Sequence, residues 1–231
     1  MAVCLYSFHS VSYPSCMSSN PSSSASAALA QILQNSALLW RGNESPHPKT
    51  RSTGFEELDD CMPGGGWPIG TLIEIIPACE GVGELSLCLP VLAALCREGR
   101  RIALVAPPHV PYAPALKRAG LLLQSVLWVG ADRDEDARWS AEQLLRDGNA
   151  GAVLVWSSTH DERLLRRLQL SAETGKSFAF LYRSTACLRQ ASPAALRVTL
   201  YPDAGGTRAE LIKVRGGRPR SVTLNLGTAF T

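Results

Sequence analysis

The feature that most constrains the fold is a repeated alternation between short apolar runs and longer amphipathic segments. Five apolar runs of five or six residues predict strands at 71–76, 101–106, 125–129, 152–156 and 178–182. The segments between them predict helices at 84–98, 113–119, 134–147 and 160–172. Parallel strands need such crossovers, and strands buried on both faces are apolar throughout. We therefore predict an α/β domain with a mostly parallel sheet covered by helices on both faces.

The pattern changes after Leu196. Apolar and polar residues alternate with a period of two in three segments, 197–200, 209–214 and 221–224. Glycine-containing turns at 203–206 and 216–217 separate these segments. Alternation of this kind between tight turns is typical of antiparallel strands with one face buried. We expect these strands to extend one edge of the sheet.

The first 48 residues have a different composition from the rest of the chain. Residues 1–26 are Ser-rich and hold too few apolar groups to offset the entropy of ordering, so we expect disorder there. Residues 27–40 carry apolar side chains at near-helical spacing and predict a separate helix that ends in Trp40. The Pro-containing segment up to residue 48 is a predicted linker, and 49–231 is the predicted core domain.

Composition excludes several functional classes. No uninterrupted run of 18 apolar residues is present, and the start of the chain lacks the basic and apolar regions of a signal peptide. The seven cysteines show no C-x-x-C spacing, which argues against zinc and thioredoxin-type redox sites. We expect reduced thiols, a cytoplasmic location and no membrane contact, with Cys88 and Cys96 as small core residues.

The loop after the first strand has the position of a phosphate-binding loop but lacks its chemistry. Such a loop needs a closing glycine, a lysine that reaches the terminal phosphates and a hydroxyl that binds magnesium. Gly81 and Gly83 are present, but Glu84 stands at the lysine position and Leu85 at the hydroxyl position. A carboxylate repels a triphosphate at short range. We therefore predict no nucleotide cofactor and no metal, with Glu84 at the start of a helix; residual nucleotide binding is the alternative.

Several motifs in order along residues 27–231 resemble known proteins. Segments 52–54 (STG), 64–70 (GGGWPIG) and 92–100 (LAALCREGR) resemble the RecA core. Segments 39–42 (LWRG), 192–197 (SPAALR) and 211–219 (LIKVRGGRP) resemble the translesion-synthesis accessory family ImuA, which is related to the division inhibitor SulA. The resemblance implies a RecA-like sheet with antiparallel C-terminal edge strands.

The same resemblance implies that the catalytic groups are lost. Pro108 lies where RecA-like enzymes carry a general base, and Trp156 lies where an aspartate orients magnesium. Because phosphoryl transfer depends on those charges, we predict that the protein is not an enzyme. The two DNA-binding loops of RecA would correspond to 157–161, which is too short, and to 183–195, which carries only Arg183 and Arg189. DNA contact is therefore expected to be weak or indirect.

By resemblance, the function is that of a non-catalytic accessory protein of the SOS response to DNA damage. The implied partners are an ImuB-like protein, an error-prone polymerase subunit and RecA. The alternative is SulA-like inhibition of cell division through FtsZ.

Positive charge is concentrated where a partner could bind. From Phe178 onward the chain carries eight Lys and Arg residues against two acids. The predicted partner-binding residues are Lys213, Arg215, Arg218, Arg220 and Trp40. We expect Lys213 and Arg215 to share one strand face outside the core, so that reversing both charges weakens partner binding and spares the fold. A solvated edge strand is the alternative interpretation. The helix at 160–172 carries a second basic face, formed by Arg163, Arg166 and Arg167, which we interpret as solvated.

Overall fold

The computed structural model describes residues 49–226. A small antiparallel pair, β1 (Thr50–Arg51) and β2 (Trp67–Pro68), encloses the short helix α1 (Glu56–Asp59). The remaining strands form one sheet: β3 (Leu72–Pro77), β4 (Arg101–Val105), β5 (Val126–Val129), β6 (Ala150–Trp156), β7 (Phe178–Tyr182), β8 (Leu196–Asp203), β9 (Gly206–Val214) and β10 (Arg220–Leu224). The remaining α-helices are α2 (Leu89–Arg97), α3 (Ala113–Arg118), α4 (Asp134–Asp147) and α5 (Glu162–Gly175).

The sheet has the strand order β10-β9-β8-β3-β7-β6-β4-β5. The six strands from β8 to β5 in this order are parallel, whereas β9 and β10 are antiparallel additions. This arrangement confirms the predicted fold class, including the antiparallel C-terminal strands. β3 lies in the middle of the sheet between β7 and β8, so the loop that follows it opens at the centre of the carboxyl edge.

Apolar side chains form one core on each face of the sheet. On one face α2 packs against strand residues such as Ile73, Ile75 and Phe180. On the other face α4 and α5 cover residues such as Val153 and Leu181. Cys88 and Cys96 are buried in the first core, as their apolar surroundings predict. The two-sided burial explains why the parallel strands are apolar throughout.

The predicted start of the helix after β3 is wrong. We predicted a helix from Glu84, but α2 begins at Leu89, and turns occupy the preceding residues. Pro90 lies in the first turn of α2, where its fixed φ and missing N–H cost nothing. Before it, the chain closes turns through bonds such as Leu87 N–H to the Gly83 carbonyl at 3.0 Å. Glu84 therefore belongs to the loop and is not at a helix N-terminus.

The predictions for the first 48 residues, including the disordered head at 1–26, the helix and linker at 27–48 and the role of Trp40, lie outside the described residues. Within residues 49–226, no helix combines the length and apolar character that crossing a bilayer requires.

Candidate functional site

In the loop after β3, a side chain of the protein itself lies where a phosphate-binding loop would hold phosphate. Gly81 and Gly83 adopt left-handed φ angles of +76° and +93°. The Gly81 N–H points to the Glu84 carboxylate, with 3.4 Å between nitrogen and Oε1. The other carboxylate oxygen, Oε2, is buried and has no hydrogen-bond partner among residues 49–226. A carboxyl group of the protein thus lies beside a backbone N–H at the position where such loops cradle phosphate.

Two contacts tie the later residues of this loop to the rest of the domain. The Thr207 hydroxyl donates to the Val82 carbonyl at 2.7 Å, which ties the loop to β9. A Cβ placed on Gly83 would lie 2.7 Å from Cδ1 of Leu226, so a side chain already covers that glycine. Leu85 offers no hydroxyl for a metal ion. Val82 and Gly83 are therefore packed against the domain, whereas residues 78–81 are exposed.

Aromatic side chains occupy the ends of the neighbouring strands. Tyr182, the last residue of β7, donates its hydroxyl to the Glu84 carbonyl at 3.2 Å and lies 3.5 Å from the Cys88 sulfur. Its ring stacks on Trp156, the last residue of β6, with 4.4 Å between centroids and 7° between planes. The position where RecA-like enzymes would carry a magnesium-orienting carboxylate thus contains a stacked aromatic pair.

Burial keeps the polar groups beneath the loop uncharged. Desolvation raises the pKa of the Cys88 thiol to about 12, although its hydrogen bond with Tyr182 acts in the opposite direction. Desolvation also raises the pKa of Tyr182, and the neighbouring Cys88 adds to the effect. Neither group supplies a thiolate or phenolate near neutral pH, so neither provides an anionic ligand or a ready nucleophile.

The loop after β4 places an exposed histidine, and no carboxylate, beside the loop after β3. Pro108 is exposed and has no titratable group. The next residue, His109, places Nε2 3.8 Å from the Glu80 carboxylate, with both side chains more than 80% exposed, at 81% and 85%. Within residues 49–226, no group of three His, Cys, Asp or Glu side chains is arranged to hold a metal ion.

Lys213 and Arg215, two of the predicted partner-binding residues, form hydrogen bonds within the domain. Lys213 is half-buried and its Nζ donates to the Ser192 carbonyl at 2.5 Å. Arg215 is exposed and donates to the Pro193 carbonyl at 3.1 Å. Desolvation, and next the charge of Arg215, lower the pKa of Lys213. The two cations share the predicted face, but both hold the segment before β8. Reversing them would therefore remove structural bonds as well as surface charge.

The C-terminal cations lie at one edge of the sheet, but Lys213 and Arg220 do not share a face of it. A β-bulge places Lys213 opposite Arg197 and Leu211 opposite Val198, so the alternation of β9 shifts by one residue at Ile212. Arg220 pairs with Leu211, which faces the core on the side of α2. Directly paired residues lie on the same face, so Arg220 lies on the face opposite Lys213. Arg218 and Arg220 are both exposed.

The sequence did not predict a buried charge cluster, in which Arg183 and Arg197 both pair with Glu74. Glu74, in the middle of β3, is fully buried and accepts from Nη1 of Arg183 at 3.0 Å and from Nε of Arg197 at 2.7 Å. Arg183 and Arg197 are only 4% and 6% exposed. Arg183 therefore does not contribute positive charge to the surface of the 183–195 segment. The available signal was the carboxylate itself, because a charge inside an apolar strand needs a buried partner.

No family model matches the chain. The structure is similar to the crystal structure of SulA from Pseudomonas aeruginosa, with a TM-score of 0.42 and 24% sequence identity. The match covers 48% of this chain and 97% of that chain.

Proposed function

We propose that the protein is a non-catalytic accessory protein of the DNA-damage response that acts by binding other proteins. The observation that carries the proposal is the loop after β3, where Glu84 and Leu85 replace the groups that bind phosphate and magnesium. The contacts at the end of the loop support the same conclusion, since Leu226 covers Gly83 and the Tyr182 hydroxyl donates to the Glu84 carbonyl. The fold keeps the strand, loop and helix of a phosphate-binding site but lacks the groups that bind phosphate and magnesium. What it retains is a scaffold that can bind other proteins.

The proposed partners follow from the resemblance of the sequence motifs to ImuA. They are an ImuB-like protein and an error-prone polymerase subunit, with RecA as a further partner. Inhibition of cell division through FtsZ is the competing function. DNA is a less suitable partner for the segment that would correspond to the second loop of RecA, because burial removes Arg183 from its surface.

The first prediction is that the purified protein does not hydrolyse ATP, with or without single-stranded DNA. The reason is that neither Glu84 nor Leu85 can stabilise the charge that develops on the transferred phosphoryl group. Phosphate release and equilibrium binding of a fluorescent ATP analogue are the measurements. The matched variant is Glu84→Lys with Leu85→Thr, which restores the lysine and the hydroxyl of a phosphate-binding loop. Its affinity for the ATP analogue is the reference against which weak binding by the wild type is judged. DNA-stimulated turnover in the wild-type chain that disappears in Glu84→Ala would refute the proposal.

The second prediction concerns the exposed end of the basic C-terminal segment. Reversing Arg218 and Arg220 to glutamate is expected to weaken capture of the ImuB-like protein about tenfold, since charges at an interface act on both affinity and association rate. The fold should persist, because both side chains are exposed. Titrated pull-downs against purified ImuB-like protein, RecA and FtsZ provide the measurement.

The control is the double change Lys117→Glu with Arg118→Glu on α3, which alters the charge equally at another exposed site. Equal weakening in both variants would show that only net charge matters. Capture of FtsZ alone, with filamentous cells on overexpression, would replace the translesion function with division inhibition.

A further inference from the structure

The outer faces of α4 and α5 expose two large apolar side chains. Trp139 on α4 is 62% exposed and Leu170 on α5 is 50% exposed. The opposite faces of both helices pack on the core through residues such as Ala141, Leu145, Leu165 and Leu168. Exposed tryptophan is uncommon in a helix whose inner face already anchors it, and tryptophan is enriched where proteins bind one another.

A shared carboxylate joins the two helices beside Trp139. Glu142, one turn after Trp139, is only 6% exposed although it lies on the helix. It accepts a hydrogen bond from Arg146 of the same helix at 3.1 Å and forms an ion pair with Arg167 of α5, with 2.6 Å between nitrogen and oxygen. This bond fixes the spacing of the helices at the level of Trp139. A surface held in this way loses little conformational entropy when a partner binds.

Two further arginines lie on the same face as Leu170. Arg163 and Arg166 precede Leu170 by seven and four residues, which places all three on one side of α5. Both arginines are exposed, and within residues 49–226 neither guanidinium forms an ion pair. Arg167, which is 57% exposed at its side chain, adds a third guanidinium that Glu142 neutralises only in part. Glu162 and Glu173 are also exposed on α5, so the three arginines of this helix exceed its acids by one, and the positive charge lies mainly between Arg163 and Arg167.

We infer that Trp139, Arg163, Arg166, Arg167 and Leu170 form a docking surface, here called the Trp139 surface, for an acidic protein segment that carries apolar anchor residues. The inference rests on the proposed protein-binding function and names the chemistry of one partner. Acidic side chains of the partner pair with the free arginines, and its apolar side chains cover Trp139 and Leu170. Aromatic and arginine side chains of this kind supply most of the binding free energy at protein interfaces.

A protein segment fits this surface better than a nucleic acid does. The first turn of α4 carries Asp134, Glu135 and Asp136, and only Asp134 and Glu135 have arginine partners. These acids would repel a phosphate backbone that followed the helix pair. Trp139 is the one aromatic side chain among the five residues, so the surface offers a stacking face to a single base at most. A short acidic protein segment can pair with Arg163 and Arg166 without following α4 along its acidic first turn.

The test uses a labelled helical peptide with leucines at i, i+3, i+4 and i+7 and glutamates elsewhere, titrated with the full chain by fluorescence anisotropy. Binding is expected, and Trp139→Ser with Leu170→Ser, or Arg163→Glu with Arg166→Glu, should weaken it about tenfold or more, because each removes anchor contacts or charge pairs. Lysine-for-glutamate and serine-for-leucine versions of the peptide should not bind.

The matched controls are Trp128→Ser, which removes another exposed tryptophan, and Lys117→Glu with Arg118→Glu. Both should bind the peptide like the wild type. No binding, or equal weakening in the controls, would overturn the inference. So would single-stranded oligothymidylate that competes with the peptide and loses affinity in the same variants. If the peptide fails but the chain still captures its partner without hydrolysing ATP, the proposed function stands and only the Trp139 surface is refuted.

Discussion

Replacing Glu74 with alanine is expected to lower the free energy of unfolding by about 3–5 kcal/mol, the usual cost of breaking a buried ion pair from one side. Glu74 is the only carboxylate that forms an ion pair with either Arg183 or Arg197 among the described residues. Ser192 also donates to it at 2.5 Å. Without Glu74, two guanidinium groups stay buried beside each other with no counter-charge. Urea unfolding followed by circular dichroism measures the loss.

The variant Glu74→Gln separates the charge from the shape of the side chain. Glutamine keeps an acceptor for one arginine but leaves both positive charges uncompensated, so most of the loss should remain. The control is Glu210→Ala, because Glu210 pairs with Arg208 at 3.4 Å on the partly exposed side of β9. Exposed pairs contribute about 0–1 kcal/mol. Equal and small losses at both positions would show that the buried cluster does not stabilise the sheet.

Replacing Gly175 with alanine is expected to cost about 2–3 kcal/mol, since added atoms in a packed region force backbone shifts. Gly175 ends α5 where the helix passes the end of α4. A Cβ built there would lie 1.9 Å from the Leu145 carbonyl oxygen and 3.1 Å from the Gly148 Cα. Both neighbours belong to the backbone, so no side-chain rotation can relieve the clash. The helices must move apart at this end.

The measurement is again urea unfolding, with Gly205→Ala as the control. A Cβ on Gly205 would meet only Thr223 Cγ2 at 3.8 Å, which is an ordinary contact. The free energy of unfolding of Gly205→Ala should therefore equal that of the wild type. If Gly175→Ala unfolds at the wild-type midpoint, the close approach of the two helices is not required. Because the same helices carry the Trp139 surface, we also expect Gly175→Ala to weaken binding of the acidic peptide.

Elements with strong local signals were predicted well. The helix at 134–147 has the predicted bounds, because acids begin it and Gly148 ends it in a left-handed conformation with φ of 71°. β7 also has the predicted bounds, 178–182. The start of α2 was misplaced because turns that depend on Gly83 and on packing against Leu226 compete with helical bonding before Pro90. Such competition depends on residues far away in the chain.

The sequence by itself determined the order in which strands and helices follow one another along the chain, and which residue types occupy the loop after β3. Both are local properties, since periodicity and loop spacing are read over a few neighbouring residues. Only the tertiary structure decided which cations are free to bind a partner. Arg183 and Arg197 reach Glu74 across 109 and 123 residues of chain, and a bulge in β9 turns Lys213 away from the face of Arg220. The count of cations along the chain therefore overstated how much positive charge the C-terminal surface carries. A buried cation needs an internal partner, and a cation paired in this way is not available at the surface.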